Sequence, residues 1–199
     1  AYNKNGEELW RKHFGTEFDY EKYIRKEHTR DPLDRWLTVI DVDGDGKDEG
    51  VSVNPSGSSP LSRNTVYCYI ADGSVGWSYP IHRKIAFGQR TYSDDYLVPR
   101  MMVGDFDRDG VPEVVATAQH QPDFPSVLLK LDARDGRLLG EYWHPGYLLQ
   151  LNHKDMDGDG VEELMFGGVN NAYGLAALVI LDPRHFSGHG PATRDHTPV

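Results

Sequence analysis

From residue 36 onward, short apolar runs alternate with polar, glycine-containing stretches, and the runs recur in the same order. Three of them, at 36–40, 101–104 and 147–151, each precede a stretch dense in aspartate. Three more follow directly, at 50–53, 114–117 and 164–168, and a further set stands at 65–70, 126–131 and 175–181. All are brief, rich in β-branched or aromatic residues and bounded by turn formers, which is the pattern of strands rather than helices. Asp72-Gly73 then introduces residues 74–79, and Asp135-Gly136 introduces residues 137–143. Asp-Gly between apolar runs is a strong tight-turn cue. Each unit therefore predicts four antiparallel strands.

Units of this size and content are β-propeller blades. The predicted fold is all-β, with about three blades at residues 36–80, 99–144 and 147–186 in a single domain spanning 1–199. The third unit is due to turn near Ser187-Gly188, but no apolar run follows. At the other end, residues 1–10 carry a hairpin signal, Asn5-Gly6, and a strand through Leu9 and Trp10 with no unit before it. Two closures fit. The N-terminal strand completes the last blade, or the blades are part of a larger ring, continued by more chain or by another copy, because propellers have roughly 4 to 8 blades.

The aspartate-dense stretches align without gaps. Asp41, Asp43, Asp45 and Glu49 form the first, Asp105, Asp107, Asp109 and Glu113 the second, and Asp155, Asp157, Asp159 and Glu163 the third. Each reads D-x-D-x-D-G-x-x-E. Alternate carboxylates at positions 1, 3 and 5 converge on one point if the chain curls, and glycine at position 6 permits the bend. The carbonyls of position 7, Lys47, Val111 and Val161, are then expected to face inward, with the acid of position 9 closing the shell. Hard oxygen donors in a flexible loop suit Ca²⁺; softer metals call for His or Cys. Up to three Ca²⁺ ions are expected. An EF-hand is excluded, since its loop needs a Glu at position 12 and flanking helices. Position 12 is Ser52, Ala116 and Phe166, and the flanks read as strands.

These loops, above all Val103-Gly104-Asp105-Phe106-Asp107-Arg108-Asp109-Gly110 and residues 155–163, resemble the calcium loops of FG-GAP (VCBS-type) repeats. Such repeats build the β-propeller of integrin α-subunit heads. They also occur in bacterial secreted and surface proteins, including extracytoplasmic sensor parts of membrane-bound serine/threonine kinases. The resemblance covers roughly residues 36–186. It implies calcium ligation by the twelve acids and the three position-7 carbonyls, and it implies no catalytic residues. Glu in place of Asp at position 9 is a departure from the family pattern, as is the missing tryptophan in the third hairpin.

If strands alternate in direction, the acidic loops and hairpin turns share one face. The longer insertions, about residues 11–35, 54–64, 82–100 and 119–125, then share the other, with a short helix expected near 19–27. Binding residues concentrate on loops held by a rigid scaffold, so a protein or carbohydrate ligand is expected on the insertion-bearing face.

Composition changes this picture little. Net charge is −10 over 199 residues, from 31 acids and 21 bases. The expected ligand positions take twelve of those acids, which leaves 19 against 21 bases. An acidic chain of this kind is no candidate for nucleic-acid binding. The longest apolar run, Leu175–Leu181, is far short of the roughly 20 residues that span a bilayer, so no membrane insertion is expected of this segment. A lone cysteine, Cys68, excludes an internal disulfide and reads as a packed thiol. His153 and His144 read as surface or turn residues, and the tryptophans as filling between blades. No nucleophile–base or phosphate-loop motif is present. The expectation is a non-enzymatic, calcium-stabilised binding module, extracellular, periplasmic or at the cell surface, such as the sensor part of a receptor-type kinase. A propeller-type polysaccharide lyase or hydrolase is the alternative.

Overall fold

The computed structural model describes residues 5–8, 11, 37–53, 64–87, 90–122 and 124–193. The expected strand at Leu9 and Trp10, the helix near 19–27 and most of the 54–64 insertion lie outside these residues.

The first sheet runs β1 (Leu37–Ile40), β2 (Glu49–Val53), β3 (Thr65–Tyr69) and β4 (Val75–Pro80), paired antiparallel in chain order. The second takes β7 (Tyr96–Gly104), β8 (Glu113–His120), β9 (Ser126–Asp132) and β10 (Leu138–His144) in the same meander. The third holds β11 (Leu148–Lys154), β12 (Glu163–Asn170) and β13 (Leu175–Leu181). All-β blades are therefore observed. Both Asp-Gly turns form as expected, with Gly73 at φ 83° and Gly136 at φ 73°.

Three features depart from the sequence pattern. A small hairpin, β5 (Ile85–Phe87) with β6 (Arg90–Tyr92), occupies the 82–100 insertion. Strands β7 and β11 outrun their apolar runs, because polar residues such as Asn152 and His153 still pair their backbones with Met165 and Leu164. Finally, β14 (Ser187–His189) does not complete the third sheet; it pairs in parallel with β10 of the second. Gly140 makes this crossing possible, since a Cβ there would strike the Phe186 carbonyl.

Period-two alternation on the second sheet sends side chains to both neighbours. Val114, Ala116, Ala118 and Leu129 pack with Val51, Val53, Val66 and Cys68 of the first sheet. Val115 and Leu128 pack with Leu148, Leu164, Phe166 and Phe186 on the other side. Central strand β8 is buried along its whole length as a result. The Trp77 indole, on β4, donates to the Ala133 carbonyl at 2.9 Å and so ties the hairpins of the first two sheets. The third sheet presents one face to this stack. Its other face leaves Val169, Leu178 and Ile180 in solvent, Leu178 being 69% exposed.

Candidate metal centres and the opposite face

Each acidic stretch links the first and second strands of its sheet and folds the same way. The carboxylate at position 1 accepts the amide of the position-6 glycine: Gly46 to Asp41 at 2.9 Å, Gly110 to Asp105 at 3.1 Å and Gly160 to Asp155 at 3.0 Å. Position 3 accepts the amide of position 5, and position 5 accepts the amide of position 7 at 2.8 Å in every loop. Lys47, Val111 and Val161 are thereby held at the turn where their carbonyls are expected to serve. Position 9 reaches back across the loop: Glu49 accepts from Val42 at 3.0 Å, Glu113 from Phe106 at 3.0 Å and Glu163 from Met156 at 2.8 Å. The extra methylene of glutamate lengthens the side chain that makes this reach.

The glycine at position 6 is left-handed in all three loops, with φ of 84°, 86° and 93°. Position 4 is left-handed as well, a feature the motif did not disclose. Gly44 and Gly158 supply it in loops one and three, whereas loop two uses Arg108 at φ 60°. Loops two and three touch. The Glu162 amide donates to the Phe106 carbonyl at 3.1 Å, and a Cβ on Gly160 would lie 3.3 Å from the Arg108 guanidinium.

The donor set fits a hard cation. Asp105, Asp107, Asp109 and Glu113 each offer a carboxylate oxygen, all within 4.8 Å of one another. Asp41, Asp43 and Asp45 do so in loop one, and Asp155, Asp157 and Glu163 in loop three. Two predicted ligands stand apart from these sets. Glu49 lies beside the first cluster, lining a pocket with Asp43 and Asp45. Asp159 turns its other oxygen to Arg184 at 2.9 Å. Burial pushes the Glu113 carboxyl up to about 7, against the opposing pull of the Phe106 amide and Lys130. Each loop has a basic neighbour: Lys47 on Asp45 at 2.7 Å, Lys130 on Asp107 at 2.5 Å and Arg184 on Asp159. Cys68 is a packed thiol, buried against the first two sheets and pushed up to about 11 by that burial.

The pocket at loop one also takes in Ile70, Ala71 and Asp72 of the β3–β4 hairpin, so acidic loop and hairpin turn share a face. At the opposite end of the second sheet the 82–100 and 119–125 insertions meet, with the Gln121 amide donating to the Asp95 carbonyl at 2.8 Å. An open groove forms there, lined by Arg90, Tyr92, Ser93, Asp95, His120 and Gln121. Ser93 Oγ and His120 Nε2 lie 3.0 Å apart, and the Tyr147 hydroxyl donates to the Pro122 carbonyl at 2.6 Å. Sequence spacing carried no sign of the Ser93–His120 pair, because 27 residues separate its members.

Of two histidines read as surface or turn residues, one departs from that reading and one keeps to it. His144 ends β10 and is only 1% exposed, with Nε2 at 3.1 Å from the Val169 carbonyl; burial lowers its pKa. His153 is exposed on strand β11, as expected of a surface residue, with Nδ1 at 2.6 Å from Glu162 and its ring edge-on to Phe106. Trp77 and Trp143 sit in the core between the first two sheets, as expected of tryptophans that fill between blades.

Residues 41–116 match the model of the FG-GAP-like repeat, a span that contains the first two acidic loops and the strands between them. No curated protein matches the chain. Among the described residues no helix is long and apolar enough to cross a membrane.

Proposed function

We propose that this FG-GAP-type repeat protein is a calcium-stabilised β-propeller module that works outside the cytosol. It binds a protein or carbohydrate ligand on its insertion-bearing face, as the sensor part of a larger membrane protein such as a receptor-type kinase would. One observation carries the reading: three loops that share four kinds of backbone-to-carboxylate hydrogen bond each gather at least three carboxylates within 4.8 Å. Without a cation those charges repel one another. The ligands are the twelve acids together with the carbonyls of Lys47, Val111 and Val161. The ion supplies charge neutralisation, while the loop's own amides hold each carboxylate in place. Loops of hard oxygen donors bind calcium at roughly micromolar to millimolar levels, which suits an extracellular or periplasmic setting.

FG-GAP repeats are generally binding or structural modules rather than catalytic ones. The groove around Arg90, Ser93, Asp95 and His120 offers both charges and several hydroxyls, which favours recognition of a polar ligand. The uncovered apolar face of the third sheet, with Leu178 and Ile180, supports a larger ring in which another blade packs there, from more chain or from self-association.

The test is thermal melting with calcium and with chelator, alongside metal analysis of the purified protein. At free calcium about 1,000 times Kd each site adds roughly 4 kcal/mol, so the chelated melt falls by well over ten degrees. An unchanged melt together with no bound calcium removes the reading. Glycan and protein arrays with a turnover assay then decide between binding and catalysis.

A further inference from the structure

We infer that Lys130 is a tethered cation of the second loop, which holds that loop together without metal and weakens its calcium affinity relative to a neutral residue. The inference rests on the calcium reading of the loops.

Lys130 lies on β9 and is only 5% exposed. Its ammonium reaches three oxygens: Asp107 at 2.5 Å, the Pro183 carbonyl at 3.0 Å and Glu113 at 3.4 Å. Asp107 and Glu113 are positions 3 and 9 of the loop, so the charge stands among the carboxylates that a cation would use. The Pro183 carbonyl comes from the turn after β13, so the third repeat holds this ammonium against the second loop.

Lys130 pairs with Val115 across the ladder. The matching position in the first sheet, opposite Val51, is Cys68, and in the third sheet, opposite Met165, it is Ile180. Neither carries a positive charge. The basic partners of the other loops are different in kind. Lys47 and Arg184 are largely exposed, with side chains 65% and 43% accessible, where solvent screens an ion pair to little effect. The Lys130 ammonium is shielded from water, and shielding strengthens both its attraction to the carboxylates and its repulsion of an arriving dication. The three loops share a motif and a fold, but their cation sites are not equivalent.

Calcium titration calorimetry on the whole chain tests this. Loops one and three are silenced by Asp43→Asn with Asp45→Asn and by Asp157→Asn with Asp159→Asn. In that background Lys130→Met tightens calcium binding by about tenfold or more, and in chelator it melts at lower temperature than the Lys130 protein. Lys130→Gln gives the same direction and serves where Lys130→Met does not fold. A folded Lys130→Met or Lys130→Gln protein with unchanged or weaker calcium affinity overturns the inference while leaving the calcium reading intact. Absence of calcium binding in the unmodified chain, with a chelator-insensitive melt, overturns both.

Discussion

Glu113 accepts the Phe106 amide at 3.0 Å while its other carboxylate oxygen faces Lys130 at 3.4 Å. One buried side chain thus closes the backbone of the second loop and completes its charge. Shortening it by one methylene withdraws the oxygen from the amide and leaves a buried N–H unpaired, which costs about 1–3 kcal/mol. Glu113→Asp is expected to lower stability by that amount in chelator. Glu163→Asp, at a more exposed site, is expected to cost less. Paired denaturant melts measure the difference, and equal effects at the two positions contradict it.

Gly136 sits at φ 73° with its Cα against the Trp77 ring, where an added Cβ would come within 2.5 Å of ring carbon. Gly136→Ala therefore carries two costs, roughly 1–2 kcal/mol for the left-handed backbone and about 1–3 kcal/mol for overpacking. Gly110 is as left-handed, at φ 86°, but open space surrounds it. Gly110→Ala in chelator is expected to show the backbone cost alone. Melting temperatures of the two variants separate the terms, at about 2–4 °C per kcal/mol for a chain of this size.

Asp132, buried at the base of the β9–β10 hairpin, accepts from Arg134 Nε at 3.0 Å and Arg134 Nη2 at 2.8 Å. The Arg134 guanidinium holds its carboxyl below the usual range. A depressed carboxyl stabilises the fold above the unfolded value of about 3.9 and loses that contribution as pH falls through the folded value. Stability is therefore expected to drop below about pH 4 by an amount that Asp132→Asn abolishes. Urea melts between pH 2 and 7 on both proteins check the sign.

Arg108 holds a left-handed position that glycine fills in the other two loops. Replacing it with glycine removes roughly 1 kcal/mol of backbone strain. Arg108→Gly is expected to raise the melting temperature by a few degrees in chelator; a fall would show that its guanidinium beside Gly160 outweighs the strain.

Much of this arrangement was legible along the chain. The β13 run at Leu175–Leu181 matched the observed strand at both ends, and both Asp-Gly turns formed where predicted. Strand ends were less visible. Lys154 pairs with Glu163 although neither is apolar, because ladder hydrogen bonds come from the backbone and carry no side-chain signature. The β5–β6 hairpin lacks a turn signal of the Asp-Gly kind, and β14 is a polar tripeptide.

The repeat, the twelve acids and their spacing were properties of the sequence, because a loop that curls on its own amides needs only local residues. Their partners were not. Lys130 lies 23 residues from Asp107, Pro183 lies 53 from Lys130, and Ser93 lies 27 from His120. Such distances are closed only when strands pair and sheets stack. Tertiary structure alone therefore decided that the second loop holds an ammonium of its own, that strand β14 joins the second sheet, and that Val169, Leu178 and Ile180 of the third sheet stand exposed on one face.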